Sequence, residues 1–108
     1  MEIKETKVDN IAIYTLIGRL DASNAEEFMN KMTTLAKAGQ DKFVFDMEQL
    51  DYISSSGLRA FLTIRKAIQG QGFVRFYQLT PQVLEVFTIS AFNTIFQIFE
   101  DKEAALSA

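Results

Sequence analysis

The stretch Asp51-Tyr52-Ile53-Ser54-Ser55-Ser56-Gly57-Leu58-Arg59-Ala60-Phe61 sets three hydroxyls in a row ahead of an apolar run. Hydroxyls so placed can do four kinds of work. One is structural: serine is a preferred N-cap, and Ser54 alone can satisfy a free N–H of a following helix. A second is nucleophilic catalysis, which needs a base within hydrogen-bond reach. The chain has no histidine and no G-x-S-x-G elbow, so only a Ser–Lys pair is left for that chemistry, and no enzyme activity is expected. A third is a phosphate cradle, but the G-x-x-x-x-G-K-[ST] run of a P-loop is missing. The fourth is that a serine itself receives a phosphate, which adds roughly −1.5 to −2 charges and three acceptor oxygens. A helix start tolerates that anion through its open N–H groups and the positive end of its dipole. Spacing alone leaves the cap and the phosphate acceptor both standing.

The composition narrows the setting. A chain of 108 residues is read as one domain spanning 1–108, long enough for a core without staples. It is 48% hydrophobic and 23% charged, with ten phenylalanines and no tryptophan, which calls for an aromatic-rich interior. With no cysteine, disulfides and thiolate metal sites are excluded, and a reducing compartment is compatible. The absent histidine removes the commonest metal ligand, general base and pH switch together. A net charge of −3 argues against nucleic acid as partner. The N-terminus MEIKETKVDN lacks the apolar stretch of a signal peptide, and no apolar run approaches the ~18 residues of a membrane helix. A soluble, cytoplasmic protein without membrane insertion is expected, monomeric when free and with no cofactor.

The elements that must position the serines follow from periodicity. Ile3 to Val8 reads as a strand, Asp9-Asn10 as a turn, and Ile11 to Ile17 as a central strand, apolar on both faces and ended by Gly18. Ser23 followed by Glu26 fits a capping box. Ala25, Phe28, Met29, Met32, Leu35 and Ala36 then recur at helical spacing, stopped by Gly39. Lys42 to Asp46 is a third strand, with Leu50 and Ile53 in the connection to the serines. In the second helix Leu58, Phe61, Leu62, Ile64 and Ile68 face inward and Arg59, Thr63, Lys66 and Gln69 outward, until Gly70 and Gly72. Phe73 to Tyr77 is a fourth strand. Thr80-Pro81 opens a short helix with Val83, Leu84 and Phe87 as its buried stripe. Ile95 to Phe99 is a fifth strand, and Glu100 onward a last helix or a frayed tail. The order β-β-α-β-α-β-α-β-α predicts an α/β domain: a mixed sheet of four to five strands covered by about four helices.

Three segments carry a resemblance. "FVFDMEQLDYISSSGLRAF" resembles the signature of STAS domains, "GRLDASNA" at 18–25 resembles their Gly-x-Leu-Asp landmark, and "FNTIFQIFEDKEAAL" is similar to their usual ending. Nearly the full chain is covered, and as a single domain it resembles the bacterial anti-sigma factor antagonists. The resemblance implies partner switching without catalysis by the chain itself. The unphosphorylated domain binds a serine kinase of GHKL type that doubles as an anti-sigma factor. Phosphorylation on a serine at the start of the second helix releases it, and a cognate serine phosphatase restores it. Carried over, the acceptor is the serine two before Gly57, namely Ser55, with Ser56 as the alternative. Ser54 stands where many members have Asp, and Asp21 matches an acidic position near the acceptor, its other reading being a loop cap. Partner contacts fall on Arg59, Thr63 and Lys66 and around Ser23 and Asn24, against the plain reading of Lys66 as a solvated face. The same resemblance leaves room for a STAS module of another system (secretion or biofilm control, a stress-sensing assembly, a transporter) with Phe92, Phe96 and Phe99 as a docking patch if they are not core. It also leaves room for a sensor of a nucleotide or lipid.

Overall fold

A computed structural model describes residues 1–68 and 70–108, so the outward face expected for Gln69 lies outside the described residues. The chain runs β1 (Glu2–Val8), β2 (Ile11–Leu20), α1 (Ala25–Lys37), β3 (Lys42–Asp46), β4 (Leu50–Ile53), α2 (Ser55–Ala67), β5 (Phe73–Tyr77), α3 (Pro81–Ile89), β6 (Gln97–Phe99) and α4 (Lys102–Ser107). β1 and β2 form the expected antiparallel hairpin, with Asp9 at φ 56 in its turn. The other pairings are parallel, in the order β1-β2-β3-β5-β6, which makes the sheet mixed, as the element order predicts.

The sheet has one strand more than the four to five expected. β4, read from sequence as a connection, pairs in parallel with the far end of β2. Its buried residues are Leu50 and Ile53, three apart, whereas a regular strand alternates by two. A bulge reconciles them: Gly18 faces Leu50 and Arg19 faces Tyr52, so Asp51 is the extra residue. For the same reason Gly18 does not end β2. It takes φ 112 at the register shift, donates its N–H to Gln49 O at 3.0 Å, and the strand continues to Leu20.

Strand alternation divides the core in two. Tyr14, Leu16, Phe43, Phe45, Val74 and Phe76 point to the face covered by α1, α2 and α3. Ile13, Val44 and Tyr77 point to the other face, where Ala105 of α4 packs. The tail is therefore a helix. The rings interlock on the first face: Phe61 meets Phe28, Phe45 and Phe76 edge-on at centroid distances of 5.4, 5.0 and 4.8 Å. On the second face lies a buried cation. Arg75 donates from Nε to Gln97 Oε1 and from Nη1 to Ala105 O, both at 3.0 Å, with its guanidinium over the Phe73 ring.

Two further expectations change. In α3 the stripe is Val83, Val86 and Phe87, and Leu84 is exposed, because one residue of helix turns it about 100° off the i, i+3, i+4 face. The last strand begins at Gln97 rather than Ile95, since Phe92–Thr94 form a turn of 3₁₀-helix first. Phe92 and Phe96 are buried in the main core and Phe99 packs partly buried against the second cluster, which makes them interior residues and removes them as a docking patch.

Phe61→Ala removes the ring at the centre of this network. It should cost about 3–5 kcal/mol in urea unfolding, and a loss below about 1 kcal/mol would show that the rings are not packed as described.

Candidate functional site

The site is built where two parallel strands stop together. Leu20 and Ile53 are the last matched pair of β2 and β4, and the Ser54 N–H donates to Leu20 O at 2.9 Å. The chain therefore leaves the sheet side by side at Asp21 and at Ser54, at the carboxyl ends of the strands, where sites gather in α/β folds.

Ser54 is the cap of α2. Its backbone is extended (φ −95, ψ 173) and its Oγ accepts from Gly57 N at 3.2 Å, while its carbonyl accepts from Leu58 N at 3.0 Å. The structural reading of a triplet serine thus applies to Ser54. Ser55 and Ser56 fill the first turn, whose N–H groups helix geometry leaves without intrahelical partners, and no carboxylate lies in that turn. Ser55 is exposed and Ser56 half-buried. The Ser56 hydroxyl accepts from Arg59 Nη2 at 3.3 Å.

Gly57 explains how α2 comes so close to the sheet. A Cβ there would stand 2.8 Å from Ile53 Cγ1 and 2.9 Å from Leu20 Cγ. Only a residue without a side chain lets the first turn rest on the Leu20–Ile53 pair, so the glycine fixes the height of the three serines above the strand ends.

The neighbouring loop is organised by Asp21. Its Oδ1 accepts from both the N–H and the hydroxyl of Ser23, and its Oδ2 lies 3.8 Å from Arg19 Nε. The Ser23 hydroxyl and then its N–H, with a smaller contribution from Arg19, hold the Asp21 carboxyl below the usual carboxylate range. This arrangement replaces the expected Ser23–Glu26 capping box: the charged acceptor takes the Ser23 hydroxyl, and the N-cap of α1 is Asn24 with no side-chain cap bond. Asn24 spends its amide inside the loop, accepting from Asp21 N at 3.0 Å and donating to Arg19 O at 2.8 Å.

Asp21, Ser23, Asn24, Ser54, Ser55, Ser56, Gly57 and Arg59 thus belong to two segments that start from one strand pair. Thr63 and Lys66 are not at this end. They continue the Ser55–Arg59 side of α2 at helical spacing, with Lys66 roughly 16 Å along the axis from Ser55; Thr63 turns its hydroxyl back to Arg59 O at 3.1 Å. Sequence reading missed two features. Arg19 lies over the exposed Tyr52 ring, 4.2 Å from its centroid, a pairing invisible until β4 is recognised beside β2. A groove of about 270 Å³ opens between the first turns of α1 and α2, lined by Ala22, Ala25, Glu26, Met29, Ser56, Arg59 and Ala60. Its only sequence signal is the small residues on facing helix stripes. Among the described residues no group of carboxylates is placed to hold a metal ion, and no helix is long and apolar enough to cross a membrane.

Comparison with known proteins agrees with the fold. The STAS domain family model matches residues 2–105. The chain is 38% identical over 109 residues to the protein named anti-sigma factor antagonist BtrV of Bordetella bronchiseptica, covering 100% of this chain and 94% of that one. Among solved structures, one named for an anti-sigma factor antagonist of Thermotoga maritima superposes with a TM-score of 0.92 at 20% identity, over 97% of this chain and 92% of that one. The Bacillus cell fate determinant SpoIIAA in its phosphorylated form superposes with a TM-score of 0.73 at 21% identity, over 95% of this chain and 96% of that one. At those identities the two structures speak for the fold.

Two outcomes test the geometry. Gly57→Ala should lower the thermal midpoint, because an overpacking cost of about 1–3 kcal/mol outweighs the ~1 kcal/mol that alanine gains over glycine in a helix; a raised midpoint would contradict the close approach. Ser23→Ala should raise the Asp21 pKa toward the ordinary value of about 3.9, read from the carboxyl carbon by NMR titration, and an unmoved value would refute the hydroxyl's hold on it.

Proposed function

The chain belongs to the STAS domain family, and we propose that it works as an anti-sigma factor antagonist that switches partners through phosphorylation of Ser55. Unmodified, it docks on an anti-sigma factor that is also a serine kinase of GHKL type, through the mouth of α2 and the β2–α1 loop. The kinase transfers the γ-phosphoryl group of ATP to the Ser55 Oγ. The hydroxyl proton is lost, ADP leaves, and the modified domain is released. A serine phosphatase hydrolyses the ester and returns the protein to its first state.

One observation carries this reading. Of the three hydroxyls, Ser54 is committed to the cap and Ser56 receives Arg59, while Ser55 is the exposed one, at the first position of a 13-residue helix. A dianion at that position sits beside open N–H groups and the positive end of the helix dipole, so the fold accommodates it. The partner does not: it must bury new charge, and any carboxylate it sets opposite is repelled. The chain needs no catalytic group of its own, because the transfer chemistry belongs to the kinase. Asp21, whose carboxylate Ser23 holds in place by two hydrogen bonds, gives the partner a fixed negative mark at the same end of the sheet as the acceptor. Arg59, Thr63 and Lys66 extend the contact along α2, and Ser23 and Asn24 shape the loop that faces it.

Support for the anti-sigma assignment comes from the 38% identical relative, which bears that name and is matched over 100% of this chain and 94% of its own length. Incubation with the kinase and ATP should add the mass of one phosphate to the parent chain and none to Ser55→Ala. Ser55→Ala should keep its complex with the kinase, whereas phosphorylated protein should bind at least about tenfold more weakly, the order of one like charge met across an interface. Full phosphorylation of Ser55→Ala would move the acceptor to Ser56. A parent chain that never gains phosphate would end the switching mechanism.

A further inference from the structure

Arg59 already reaches back across the first turn of α2 to a serine. Its Nη2 donates to Ser56 Oγ, three residues earlier, in a long bond of 3.3 Å between a cation and a neutral hydroxyl. Ser55 lies four residues before Arg59, and helix positions three and four apart are side-by-side neighbours on one face. Both residues are exposed, and Arg59 borders an open groove that leaves its side chain room to move. The other charges at this end are Arg19 and Asp21 at the end of β2, the Met1 ammonium, which acts on Asp21, Glu26 on α1 and Asp51 on β4. Arg19 is engaged with Asp21 and Tyr52, the ammonium belongs to the β1 side of the same carboxylate, and Asp21, Glu26 and Asp51 are acidic. Within α2's first two turns Arg59 is the cation available to a phosphate.

We infer that Arg59 is an internal clamp for the phosphate: on phosphorylation of Ser55 the guanidinium leaves Ser56 and pairs with the phosphoserine one turn below it. This rests on Ser55 as the acceptor and adds how the modified state is held. A phosphate offers three oxygens to a planar fork of donors and forms shorter, charge-assisted bonds, about twice as strong as those to a neutral hydroxyl. The exchange therefore runs toward the phosphate. It also changes what the partner meets. In the unmodified protein the surface presents a cation held by one long bond to a neutral hydroxyl. In the modified protein the cation is folded down against its own helix, so a partner carboxylate opposite Arg59 loses its counter-charge as well as meeting the new anion. Release then has two sources, one repulsive and one through withdrawal of a contact.

The test uses the full chain with phosphoserine encoded at position 55 during synthesis, so that it does not depend on a kinase. The second ionisation of the phosphate, followed by ³¹P NMR, should occur at a pKa at least ~0.5 lower in the parent than in Arg59→Gln, because a neighbouring cation favours the dianion. Ser56→Ala should keep the low value, since it removes only the acceptor that Arg59 abandons, and Arg59→Lys should fall between. The Arg59 Nε–H resonance should shift in the phosphorylated parent relative to the unmodified protein. Equal phosphate pKa values in the parent and Arg59→Gln would overturn the clamp, as would a rise of equal size in Ser56→Ala. A failed clamp leaves the Ser55 acceptor to be judged by the kinase experiment, and a Ser55 that no kinase modifies leaves the clamp measured here in its own right, so the two failures are told apart.

Discussion

Leu20 and Ile53 leave no space for a side chain at residue 57, and the rest of the site follows from that contact. With hydrogen alone at Gly57, the first turn of α2 lies directly on the last paired residues of β2 and β4. The same contact orients Ser54 so that its hydroxyl caps the helix and its N–H closes onto Leu20 O. It also brings the start of α2 beside the β2–α1 loop, so that a carboxylate fixed by Ser23 and a row of hydroxyls share one end of the sheet. Geometry at this end is inherited from a steric limit between three residues, two of them aliphatic and none of them able to react.

Below that surface the molecule is stiff. Phe61 and Ile64 of α2 are buried in the main core, Phe61 among rings from β3, β5, α1 and α3. Edge-on aromatic contacts restrict orientation as well as distance. The part of α2 that faces solvent is therefore carried on an interlocked aromatic base. A charge added at the exposed end does not enter the core. This division suits the proposed switch, in which a partner reads a change in surface chemistry and the fold is kept.

Most of the architecture was legible in the chain because periodicity reports burial. Helices α1 and α2 carry one apolar stripe each, and the central strands alternate or run apolar on both faces. What the sequence concealed are places where a local rule yields to a tertiary one. Leu50 and Ile53 are spaced like a fragment of helix, and only the extra residue at Asp51 makes them a strand with both on the same side. Ser23 and Glu26 have the spacing of a capping box, yet a charged acceptor nearby claims the hydroxyl. Leu84 is apolar and follows the buried Val83, but helix phase turns it outward. For the site, the serines and Gly57 stand together in sequence and could be found there. The pairing of Arg19 with Tyr52, the steric reason for Gly57 and the reach of Arg59 to Ser56 depend on which strand ends meet, which composition does not encode.

Arg75 carries a different lesson. Its buried guanidinium has neutral acceptors, the Gln97 side-chain oxygen and the main-chain oxygen of Ala105, the latter among the carbonyls that the end of a short helix leaves free. The negative pole of α4 thus serves as the counter-ion of a buried charge. Since a main-chain oxygen is the same for every residue, this contact constrains the path of the tail across the back of the sheet and leaves much of its spelling free.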